Sequence, residues 1–275
     1  MDTDLTNASL KNADLEGATL EGVILKHATL NGAVLGGANL AKTDLSFAKM
    51  AGADLSGANM EKTTLNETNL RGTTLREATF NGTNFRSADL TGADLRATTL
   101  RLADLTDTKL GLADLRGAKL LSTPLTPLEE SSLGLSLEER KTWEERPCRI
   151  REGNPEDEAC RKQWEARIPP EQPCFMTTAW GPCRESKDLE TYDRQLATFL
   201  AGLACEDGAN ARAVIRRLDR LKDDPHTAKR PLADLLGNRL VKQDCPEITC
   251  LPAEVLESVA EYRGDAEVPE RTCPD

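Results

Sequence analysis

A large apolar residue returns at every fifth position from Leu5 to Leu120. Leu5, Leu10, Leu15 and Leu20 open the series, and Leu105, Leu110, Leu115 and Leu120 close it. Met50, Met60, Phe80 and Phe85 are its only non-leucine centres, and it runs through 24 repeats without an insertion. Two residues before each centre, from Ala8 onward, stands only Ala, Thr or Val. Asp, Asn or Thr is frequent just before the centre, as at Asp14, Asn39, Asp54, Asn69 and Thr99. A helix repeats every 3.6 residues and a strand every 2, so neither produces a strict period of five. A coil that turns a corner every five residues does. The centre and the small residue two before it point inward, and the other three point out. Gly stands two after the centre at Gly17, Gly22, Gly32, Gly37, Gly52, Gly57 and Gly92, where a tight turn demands a positive φ.

This pattern resembles the pentapeptide-repeat family, with its Ala-(Asp/Asn)-Leu-X-X consensus, over residues 1–125. The resemblance implies a right-handed quadrilateral parallel β-helix with four repeats per coil, hence about six coils and a rod roughly 30 Å long at the ~4.8 Å spacing between strands. Leu5, Leu25, Leu45, Leu65, Phe85 and Leu105 then form one interior column.

Past residue 123 the composition changes. All 14 Pro, all 8 Cys and all 3 Trp lie there. The chain carries a formal net charge of −11, of which residues 1–125 account for −2 and the remainder for −9. Two physically different parts therefore share one chain: a β-helix over 1–125 and a small α-helical, cysteine-rich domain over 126–275. In the second part, Ser136 and Glu139 form a capping box for a helix to Arg146, and another helix fits Pro155–Arg167. Residues 168–186 are irregular. Further helices are expected around Leu189–Leu203, Val214–Leu221, Leu232–Leu240 and Val255–Tyr262, from their apolar spacing.

Cys148, Cys160, Cys174, Cys183, Cys205, Cys245, Cys250 and Cys273 are even in number and confined to this part, which suggests four disulfides. Connectivity stays open, with Cys174–Cys183 and Cys245–Cys250 as local candidates. Disulfides imply an oxidising compartment: periplasm, thylakoid lumen or cell exterior. The chain enters its repeat at once, with no leader in view, so an upstream leader, anchor or cap is expected outside it. The C-terminal end of the rod has cover in the following domain. The N-terminal coil has none, which makes an end-to-end homodimer through it an expectation.

Function is less legible. His27 and His226 are the only imidazoles and lie in different parts. No nucleotide loop, nucleophile elbow or zinc motif occurs, so no catalytic, cofactor or metal residue is assigned. The acidic chain lacks the basic face of a nucleic-acid binder. The preferred reading is a non-catalytic protein-interaction or scaffolding module with a protein partner, the β-helix as rigid spacer and the cysteine-rich domain as cap and recognition surface. Alternatives are a DNA-mimicking inhibitor or protector of DNA gyrase, as some members of the family are, and an enzyme with an unrecognised site in the second part. The rod's near neutrality and its arginines (Arg71, Arg76, Arg86, Arg96, Arg101, Arg116) weigh against mimicry. Candidate contact residues are Phe47, on an outward position shared with His27 and Glu67, and Phe175, Met176 and Trp180. Outward Leu102 and Leu112 are expected to pack under the second domain.

Overall fold

The computed structural model describes residues 3–115, 118, 186–223, 231–242, 246–260 and 262. Over the repeats, every bridge is parallel and joins residues 20 apart: Asp4 with Ile24, Ile24 with Asp44, and so on to Asp94 with Asp114. Twenty residues are four repeats, so the coil is four-sided. Each side is a single bridge wide, because a corner follows within two residues.

The corner has one form throughout. The N–H three residues past a centre returns to that centre's carbonyl, as from Ala8 to Leu5 at 3.0 Å. The residue two past the centre has φ between +53° and +72° at every corner from Asn7 to Leu112. That is a type II turn, which prefers glycine at this place. Thirteen corners hold other residues, Phe47 and Leu102 among them. The residue just before the centre serves the same turn. The Oδ1 of Asp4, Asp44, Asp54, Asn69 or Asp104 accepts the backbone N–H two residues on, at 2.9–3.2 Å. That hydrogen bond is the physical reason Asp and Asn recur there.

Inside the rod, Leu25 to Leu90 and the small residues two before them are almost wholly shut from water. Phe80 and Phe85 meet edge to face, with ring centroids 5.0 Å apart. Where Thr replaces the small Ala, its hydroxyl is not left bare. Thr43, Thr63, Thr68, Thr83 and Thr108 each donate to a carbonyl of the preceding coil, from Leu20, Leu40, Leu45, Met60 and Phe85. A buried hydroxyl without such an acceptor would cost about 1–3 kcal/mol. In the first coil Leu5, Leu10, Leu15 and Leu20 are only partly buried, since they pack on one coil instead of two.

The second part contributes α1 (Ser186–Ala204), α2 (Gly208–Asp223), α3 (Leu232–Lys242), the single turn α4 (Pro246–Thr249) and α5 (Ala253–Ala260). Apolar spacing predicts all but α4, which is too short to show a period. The helices expected over 136–146 and 155–167 lie outside the described residues. Asp207 starts α2 by accepting the Ala209 N–H at 2.8 Å, an N-cap bond. The apolar faces of the helices share one core, from Tyr192, Leu196 and Leu200 through Val214, Ile215 and Leu218 to Leu236, Leu240 and Val259. Ala51 of the rod belongs to that core, and Leu112 packs against it.

Chain order alone does not place α1 and α2 beside the rod. Yet these two helices form a hairpin along its side, with contacts from Lys11 in the first coil to Leu112 in the last. The 19 residues of α1 span ~28 Å at ~1.5 Å each, close to the roughly 24 Å that five coil steps cover. The exposed Leu102 corrects one expectation: it is 57% exposed and is not packed against the described helices, whereas Leu112 is. The two belong to different corners of the coil.

Truncating Phe80 to Ala in the sealed interior is expected to cost about 3–5 kcal/mol, read as a lower urea midpoint for loss of the β-helix.

Candidate interaction site

The corner residues form four columns along the rod, each with a period of 20. One column reads Asn12, Gly32, Gly52, Gly72, Gly92, Leu112. Its four glycines are buried, while in the other three columns the corner residues are exposed, Gly22 alone being half-buried. The hairpin explains the difference. A Cβ on Gly32 would come within 2.6 Å of the Ala209 carbonyl oxygen, one on Gly52 within 2.8 Å of the Ala213 Cβ, and one on Gly72 within 2.5 Å of Leu203 Cδ2. On Gly92 it would strike the Phe199 ring. Gly57, on the next corner, has open space around it. The glycine ridge is thus a seat shaped for helices.

The ridge also offers acceptors. Each repeat uses its other carbonyls in the ladder or the turn, but among the described residues no corner carbonyl takes part in the coil's backbone bonds. The hairpin supplies the missing donors. Arg217 Nη1 reaches the carbonyls of Gly72 and Gly92 at 3.1 and 2.8 Å. Arg216 donates to Gly32, and the Tyr192 hydroxyl to Leu112 at 2.9 Å. Arg217 is buried, and a buried guanidinium is tolerated only where carbonyls and charges face it.

Ion pairs flank the seat. Lys11 meets Asp207 at 2.7 Å and Arg71 meets Glu206 at 3.0 Å. Arg71 also lies over the Phe199 ring, 5.3 Å from its centroid. Arg220 bonds the buried Asp54 carboxylate. In the same column as Asp54, Asp94 holds Arg76 and Arg96 at 2.7 and 2.8 Å. Burial opposes ionisation of Asp54, but hydrogen bonds from Arg220 and Ser56 outweigh it and hold the carboxyl below its ordinary range. Asp207 is likewise held down, against burial, by Lys11 and the Ala209 N–H. Asp94 goes the other way: burial pushes its carboxyl up, and Asp114 adds to this against Arg217 and Arg76.

Of the residues singled out in the sequence, Phe47 is 43% exposed. Its ring stacks on His27 one coil below, with centroids 4.9 Å apart and planes 10° from parallel. Lys26 pairs with Asp44 beside it at 3.1 Å. Cys205, in the turn between α1 and α2, and Cys250, after α4, are both disulfide-bonded. The remaining six cysteines, with Phe175, Met176 and Trp180, lie outside the described residues. In the sequence Gly32, Gly52 and Gly92 stand out only as turn glycines, and the arginines of α2 are not among the residues singled out. A signal for the ridge exists in the chain: sorted by every fourth repeat, four successive corner glycines fall in one column.

Two outcomes follow from this seat. Gly57→Ala and Gly92→Ala introduce the same positive-φ strain, about 1–2 kcal/mol, but only the second blocks Phe199. Gly92→Ala is therefore expected to lose more stability and to raise amide exchange in α1, while Gly57→Ala leaves α1 exchange unchanged. Lowered carboxyl pKa values stabilise the fold above the unfolded value near 4 and cease to do so as pH falls through the folded value. Docking should weaken below about pH 4, and Asp54→Asn should reduce that acid sensitivity in urea melts between pH 7 and 3. Asp94, held up, acts with the opposite sign and is left unchanged in that variant.

Among the described residues, no helix is long and apolar enough to cross a membrane. The pentapeptide-repeat family profile matches the chain in 8 copies, over residues 1–37, 28–66, 53–92, 65–101 and 83–120. Among solved structures, a pentapeptide repeat protein from the thylakoid lumen of Arabidopsis thaliana is 37% identical, over 34% of this chain and 66% of its own, with a TM-score of 0.34. One from the cyanobacterium Cyanothece 51142 is 28% identical, over 36% of this chain and 65% of its own, with a TM-score of 0.32. One from Nostoc PCC 7120 is 32% identical, over 43% of this chain and 84% of its own, with a TM-score of 0.24. The chain thus spans just under two thirds of the first two. No curated protein matches it. With its fivefold ladder, its four-sided coil and this profile match together, the chain belongs to the pentapeptide-repeat family, whose right-handed β-helix it forms in its repeat region.

Proposed function

We propose that this protein is a non-catalytic protein-interaction module, in which the β-helix is a rigid scaffold and the helical domain presents recognition surface. The observation that carries the reading is the docking itself. Two helices are fixed along the rod by buried guanidinium-to-carbonyl bonds and flanking ion pairs. This leaves α1 and α2 little freedom relative to the coil, and a preorganised surface binds without the entropic cost of ordering it. The stacked pair Phe47–His27 is the exposed anchor on the rod. Phe47 holds a positive φ that costs a bulky side chain about 1–2 kcal/mol, offset only by its stacking on His27 and partial burial. A partner that covers the ring would complete that burial.

An oxidising compartment is part of the proposal. The bonded state of Cys205 and Cys250 supports it, since disulfides persist outside reducing compartments. Intact mass of the unreduced, alkylated protein reads the rest: four disulfides leave no thiol to alkylate, and eight alkylated thiols would sink the compartment. The gyrase reading needs a long acidic rod. The rod here carries a formal charge of −2 over 125 residues, and the hairpin covers one of its corners, so we do not favour it.

Replacing Phe47 by Ser is expected to leave the urea midpoint unchanged or slightly raised and to weaken partner capture by about tenfold or more. Capture from an extract of the source organism, compared between wild type and F47S, makes the measurement. Equal capture would remove Phe47 from the interface.

A further inference from the structure

The arginines of α2 divide into two sets. Arg217 lies on the stripe that sits on the glycine ridge, with Ala209 and Ala213. Arg212, Arg216 and Arg220 form the neighbouring stripe, spaced four residues apart. Along a helix this places three arginine Cα atoms ~6 Å apart in a row, and like charges at i,i+4 repel. The structure compensates them sparsely. Arg220 has the Asp54 carboxylate, with Glu16 adding attraction at longer range. Arg216 has only a neutral acceptor, the Gly32 carbonyl. Arg212 has no ion pair or hydrogen bond among the described residues. Burial and the charges of Arg220 and Arg212 all work against the Arg216 cation, while Asp54 favours it.

We propose that the Arg212–Arg216–Arg220 stripe is a docking site for an extended acidic protein segment with carboxylates at alternate residues. The proposal deepens the interaction reading above and rests on it. Alternate side chains of an extended segment share one face and repeat at ~6.6–6.8 Å, close to the ~6 Å between these arginines. Over three contacts the mismatch accumulates to little more than ~1 Å, within the reach of flexible arginine side chains. The stripe is recessed: Arg212 and Arg216 are half-buried along the flank of α2. A single chain can follow that seam more closely than a flat lipid surface can. The acidity of the rest of the protein disfavours loose capture of anions, so spacing as well as charge selects the ligand.

The test uses the full chain and two fluorescein-labelled peptides of equal charge, one with Glu alternating with Ser at three positions and one with three Glu in a block. Anisotropy titration is expected to show tighter binding of the alternating peptide, weakened by raising salt from about 50 to 300 mM. Arg212→Gln should reduce its affinity by about tenfold, and Arg212→Lys should restore part of it. Among the described residues Arg212 makes no hydrogen bond or ion pair to the rod, so the urea midpoint of both variants should match wild type. Equal affinity for the two peptides, an unchanged affinity in R212Q, or binding to vesicles containing anionic lipid without binding of the peptide would each overturn the proposal. A partner whose capture depends on Phe47 but not on Arg212 would overturn the stripe and leave the interaction reading standing. Loss of both dependences would overturn both.

Discussion

A backbone carbonyl left over at every corner of the coil underlies the assembly of this protein. The four-sided coil satisfies its own ladder and its own turns, yet the residue two past each centre keeps its oxygen unused. Because the coil closes after 20 residues, these oxygens fall into straight lines along the rod. On an exposed corner water satisfies them. On a covered corner something must replace water, since a buried, unpaired carbonyl is costly. Arg216, Arg217 and Tyr192 do so on one line.

The covered line is also the one where side chains are missing. Helices can reach the corner oxygens only if their backbones come close, and a Cβ at Gly32, Gly52, Gly72 or Gly92 would hold them off. Glycine therefore has two uses here. It takes the positive φ of the turn without strain, as any corner prefers, and it lowers the ridge so that Ala209 and Ala213 can settle on it. Only the second use distinguishes this corner from the one carrying Gly17, Gly37 and Gly57, which stands open. Packing, corner bonds and the flanking ion pairs meet along one seam, so rod and hairpin share a core that includes Ala51.

Much of this is legible in the amino-acid sequence. The ladder from Leu5 to Leu120 states which side chains are inside, and the spacing of Leu196, Leu200, Val214 and Leu218 states where helices lie. The side chain of Phe47 is identifiable as outward, together with its column-mate His27. Leu102 and Leu112 mark where legibility ends. Both are outward leucines near the junction, and only Leu112 lies on the covered corner. Nearness along the chain is a poor guide in a coil, because ten residues turn the chain halfway around the rod. The two sequence features that matter for docking, four corner glycines and the arginines of α2, have no period in common and sit more than a hundred residues apart.

What the sequence determined by itself was the repeat and its consequences: a period of five, an apolar interior and turns needing positive φ. These are local, since each residue's role follows from neighbours a few positions away. What only the tertiary structure decided was which corner the helices cover, which arginines are consumed in doing so, and which remain with charge to spare. That choice depends on contacts between distant segments, where shape and hydrogen-bond geometry select one corner out of four that local sequence makes nearly alike.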